Sequence, residues 1–81
     1  MSEYITTYTG EHFRPLEPDP QLIKIEDIAH ALSMICRGNG HVKTFWSVGE
    51  HSICCAREAA ERGMSERMIL ACLLHDASEC Y

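Results

Sequence analysis

Met68-Ile69-Leu70-Ala71-Cys72-Leu73-Leu74, followed at once by His75-Asp76, is the stretch on which the fold turns. Read as a helix, the run is apolar on every side, and a helix apolar all round belongs at the centre of a bundle. An imidazole and a carboxylate at the end of such a helix need partners, because an unpaired buried charge is costly. A divalent cation serves both, since imidazole nitrogen and carboxylate oxygen are natural ligands for one ion. The plainer alternative is a satisfied core histidine with a carboxylate closing the helix.

Working upstream, Ser47-Val48-Gly49-Glu50-His51-Ser52 opens another helix. Ser47 and Glu50 have the spacing of a capping box. The helix is expected to run to about Arg62, before Gly63, with Glu58 and Arg62 as a solvent-side pair one turn apart. Ser65 caps the helix that carries the apolar run. The interval from His51 to His75 fits a helix, a turn and most of a second helix running back, so the two histidines are expected to meet. An earlier helix is predicted from Ile25 or Glu26 to Cys36, with Ile28, Leu32, Ile35 and Cys36 on one face. Glu26 and Asp27 lie at its positive end, and Gly38 offers a stop. Residues 38–46 form a loop in which Gly38-Asn39-Gly40 tolerate positive φ, and Phe45 and Trp46 are expected to anchor its far end in the core. Ahead of residue 25, a threonine-rich stretch and then Pro15, Pro18 and Pro20 predict an extended arm with at most a short strand. The expected fold is all-α, a three-helix unit over residues 25–81 behind an irregular arm over residues 1–24.

Composition narrows the possible partners. Eighty-one residues allow one domain. A chain this short buries only roughly 60% of its unfolded surface, so a metal or a partner is expected to support it. The net charge of −5 disfavours duplex nucleic acid, which requires a basic surface. No apolar run approaches a membrane span and no secretion signal is visible, so a cytoplasmic protein is expected. Five cysteines, an odd number, argue against a disulfide framework. They read as small core residues, although Cys55, four residues after His51, could share its helix face and suit a soft metal such as zinc.

Several separated motifs, in one order, carry a family resemblance. Asp27-Ile28-Ala29-His30-Ala31-Leu32-Ser33, Cys36-Arg37 and Asn39-Gly40-His41 precede Ser47-Val48-Gly49-Glu50-His51-Ser52 and then His75-Asp76-Ala77-Ser78-Glu79. From about Tyr8 onward the chain resembles the HD-domain metal-dependent phosphohydrolases, in the branch related to 5′-deoxynucleotidases. The resemblance implies part of a helical HD bundle. It implies a divalent ion (manganese, cobalt, zinc, magnesium or iron) held by His51, His75 and Asp76, and a nucleotide or small phosphoester as substrate. Glu79 would be a catalytic acid or would position water; read without the family, it is a solvated glutamate at a helix end. Arg37, with Asn39 and His41, would hold the phosphate from a loop over the site. Arg37 also has a simpler reading, as a charge complementing the end of its helix.

One departure bears on activity. The family pattern closes with a second aspartate on a later helix, whereas Asp76 is the last aspartate here. Turnover by this chain is therefore expected to be weak or absent. The alternative is a non-catalytic HD-derived module, of regulatory or phage-inhibitor type, whose uncovered apolar faces engage a protein partner or a second copy.

Overall fold

The second and third helices begin where a serine cap supplies a start. In the computed structural model, which describes residues 3–81, α1 spans Ile25–Met34, α2 Val48–Glu61 and α3 Glu66–Leu74. Ser47 Oγ accepts the Glu50 N–H at 3.0 Å, and Glu50 Oε1 accepts the Ser47 N–H at 3.3 Å, closing the capping box of α2. The Ser65 hydroxyl accepts the Met68 N–H and starts α3. Between them, Gly63 at φ 72° lets the Gly63 and Met64 N–H groups reach back to the carbonyls of Ala60 and Ala59. That paired closure ends α2 and returns the chain along it as α3.

α1 ends two residues before the expected Cys36. Ile35 is extended, its carbonyl accepts the Val48 N–H at 2.8 Å, and Cys36 forms a bridge with Ser47. Pairing with the entrance of α2 thus replaces the last half-turn of helix. The Arg37 N–H donates to the Trp46 carbonyl at 2.7 Å, so the loop between α1 and α2 is pinned at its neck. Gly38, Asn39 and Gly40 all take positive φ at the turn. Phe45 and Trp46 do not anchor the core: they are 59% and 40% exposed, and Trp46 serves through its backbone. Gly49 allows the helices to approach, since a Cβ there would lie 3.3 Å from the Ser33 nitrogen.

The arm forms a two-strand antiparallel hairpin, β1 (Ile5–Thr6) with β2 (His12–Phe13). Asp27 latches it to α1, accepting from the Thr9 N–H at 2.7 Å and the Thr9 hydroxyl at 2.9 Å. Burial pushes the Asp27 carboxyl up, but these bonds, a Thr7 hydroxyl and Lys24 outweigh it and hold the group below its ordinary value. Phe13 stacks on Tyr81 at 4.0 Å, joining the arm to the turn over Ala77–Cys80 that packs on α1.

The core is small: Phe13, Leu32, Val48 and Ala59 are the buried apolar residues. α3 is not the central helix its composition predicts. None of its residues is buried, and Met68, Leu70, Leu73 and Leu74 are exposed. An open apolar cleft of about 280 Å³ runs between the three helices, lined in part by Ile25, Ile28, Leu32, Ile53, Leu73 and Leu74. The molecule is correspondingly expanded. Its radius of gyration is 14.3 Å, against about 12 Å for a compact domain of this length. Its 6135 Å² of surface exceeds the roughly 4900 Å² of a compact monomer of this mass. No helix among the described residues is long and apolar enough to cross a membrane.

Candidate metal centre

Five site residues are brought together from three segments of the chain. His51 stands in the first turn of α2, where the capping box fixes the backbone, and Cys55 follows one turn later. His75 closes α3 and Asp76 leads into the turn after it. Arg37 reaches in from the neck of the α1–α2 loop. Around Asp76 Oδ2 lie His75 Nε2 at 3.0 Å, Arg37 Nη1 at 3.6 Å and His51 Nε2 at 3.9 Å. The His51 and His75 rings meet edge to face, with centroids 5.2 Å apart.

Protonation explains what this arrangement suits. His75 Nδ1 lies 2.6 Å from the Cys72 carbonyl oxygen, which only accepts. Nδ1 therefore carries a proton, and in the neutral form of the ring Nε2 presents a lone pair. That lone pair faces a carboxylate oxygen at 3.0 Å, and Asp76 Oδ2 is buried without a hydrogen-bond partner among the described residues. The His75 approach lacks hydrogen-bond geometry, and the Arg37 contact at 3.6 Å is too long to be one. In that neutral form, two electron-rich atoms at that distance, one orphaned, repel unless a cation lies between them. Ligands bound at about 2.0–2.2 Å to one ion stand roughly 3–4 Å apart, the range seen here. An Nδ1–H bonded to a backbone carbonyl is also how proteins orient a metal-binding imidazole. A second donor set overlaps the first: the ligand atoms of His51, Cys55 and His75 lie within 4.8 Å of one another. The cluster is chemically equipped to hold a metal ion.

The remaining candidates sit apart from this cluster. Glu79 would face the same way as the doublet only if α3 continued, and α3 ends at Leu74. Glu79 is exposed, and its backbone N–H donates to the Asp76 carbonyl. Asn39 and His41 are exposed on the loop, and neither side chain bonds to the cluster among the described residues. Cys55 is the residue that sequence alone assigns to the core rather than the site; its spacing from His51 is the signal that points to it.

No protein-family model matches the chain. It is 37% identical over 78 residues to the uncharacterized protein YfdR of Escherichia coli strain K12, a match covering 96% of the chain and 41% of YfdR. It is 43% identical over 75 residues to an uncharacterized protein of Rhodobacter capsulatus, covering 88% of the chain and 38% of that protein. The chain spans about two fifths of the length of the curated relatives it matches.

Proposed function

We propose that the chain carries the metal-binding half of an HD-type phosphohydrolase acting on a nucleotide or related phosphoester. The observation that carries this reading is the orphaned Asp76 Oδ2 lying 3.0 Å from His75 Nε2. His51, His75 and Asp76 would hold the ion, which supplies Lewis acidity toward water and offsets phosphate charge. The Cys72 carbonyl keeps His75 in the ligating tautomer. Arg37, partly exposed and bound to Asp76 only at long range, has its guanidinium donors free to receive phosphate oxygens. Glu79, Asn39 and His41 would join only with movement of the turn and loop that hold them. The five free thiols suit a reducing compartment, which agrees with a cytoplasmic place for this chemistry.

The open cleft beside α3 favours a second reading, a non-catalytic module that engages a protein. Phosphate release from a panel of deoxynucleotides with manganese, cobalt or zinc separates the two. Metal-dependent release lost in Asp76→Ala supports the hydrolase. Equal background in both proteins leaves the binding module.

A further inference from the structure

We propose that Cys55 is a metal ligand, forming with His51 and His75 a site for a soft divalent cation of the zinc class. The inference rests on the reading of the two histidines as ligands and adds the sulfur that decides which ion they take. Cys55 Sγ lies 3.5 Å from His51 Nε2 and 3.9 Å from Nδ1. Donor atoms of all three residues fall within 4.8 Å of one another. Helix spacing accounts for the pair on α2, since positions four apart share a face, and α3 delivers His75 against that face. Cys54, next in sequence, is exposed and stands outside the cluster.

The surroundings favour coordination over a bare thiol–imidazole contact. Cys55 lines an apolar pocket with Met68, Ala71, Cys72 and His75, and thiolate is the ligand type that selects zinc over magnesium or manganese. On binding, the thiol proton passes to solvent and the sulfur lone pair forms the new bond. His51 Nε2 is near both Sγ and Asp76 Oδ2. A sulfur-bound ion therefore takes an imidazole that a hard ion at Asp76 also needs, and zinc and manganese compete for the site.

Cobalt(II) titration of the full chain under reducing conditions tests this. Sulfur bound to cobalt gives a near-ultraviolet charge-transfer band, and any protein-bound cobalt gives visible bands shifted and strengthened relative to the hydrated ion, whose own spectrum is subtracted. The expected result is both sets in the wild type and in Cys54→Ser. Cys55→Ser should keep the visible bands, lose the near-ultraviolet band and bind zinc roughly tenfold or more weakly, with an unchanged far-ultraviolet circular dichroism spectrum. Visible bands alone in the wild type overturn the role of Cys55 and leave the His–Asp metal reading standing. An undiminished near-ultraviolet band in Cys55→Ser overturns it too, by assigning the sulfur elsewhere. No cobalt bands in a helical wild-type protein overturn both readings.

Discussion

Asp76 carries more of the proposed chemistry than any other residue. Its Oδ2 has lost water without gaining a hydrogen bond, an arrangement a bound cation would stabilise. Asp76→Asn should lower metal affinity at least roughly 100-fold, since partners that merely orient ligands cost about 10–100-fold; isothermal titration with zinc or manganese measures it. In metal-free protein the same change should raise stability by about 1–3 kcal/mol, because it removes the charge from a buried oxygen that has no hydrogen bond while giving up only a long, partly exposed contact with Arg37. Arg37→Ala should raise KM with kcat nearly unchanged. A charged hydrogen bond of about 1.5–3 kcal/mol corresponds to roughly 10–100-fold in KM. Asp27 answers to acid instead. Its carboxyl is held below the ordinary value of 3.8, so its stabilisation is complete above that value and is lost as pH falls through the lower folded-state value. Thermal midpoints should stay flat on its account down to about pH 5 and then drop, and Asp27→Asn should remove that part of the drop while lowering the midpoint at neutral pH.

At the scale of elements, the starts and the glycine-marked end of α2 were legible in the sequence, whereas the end of α1 and the turn after α3 were not. The capping box at Ser47 and Glu50 is local chemistry, readable from two residues three apart. Ser47→Ala should cost about 0.5–2 kcal/mol by chemical denaturation. The end of α1 depends on residues more than ten positions away: Ile35 leaves the helix because Val48 and Ser47 offer its segment better partners. The turn after α3 escaped for a similar reason. An unbroken helix through Glu79 fits the spacing, but the Ala77–Cys80 segment instead turns to pack on α1. Gly49 adds a testable contrast. Glycine to alanine inside a helix ordinarily stabilises by about 1 kcal/mol, yet a Cβ here meets the backbone of Leu32 and Ser33 at 3.3–3.4 Å. Gly49→Ala should therefore give no gain, and a lower thermal midpoint than wild type is the expected result.

The whole molecule is too open for its mass, and the reason lies in α3. Composition correctly marks Met68–Leu74 as a segment that ought to be covered, but three helices and an arm do not cover it. The sequence already pointed to this, since a helix apolar on all sides needs cover on more faces than two neighbouring helices and an arm supply. Burying a Leu or Ile contributes about 1.5–3 kcal/mol, so the cleft offers a large reward to whatever fills it. We expect the chain to associate with itself at micromolar concentration, seen as a sedimentation coefficient that rises with concentration. Ile53→Glu together with Leu73→Glu, both at the cleft, should return it to monomer. A concentration-independent monomer in the wild type would refute this.

The pinned neck between α1 and α2 has one more consequence. With Arg37 tied to Trp46, Cys36 to Ser47 and Ile35 to Val48, residues 38–45 hang from a closed clasp. Lengthening a clasped loop costs little, about 0.6 kcal/mol for each doubling, and leaves the helix ends beneath it undisturbed. The segment is in effect an exchangeable cassette: its length and side chains are open to revision while the imidazoles and carboxylate below keep their places. Under selection, then, the loop and the proposed ion site beneath it are free to evolve on separate clocks.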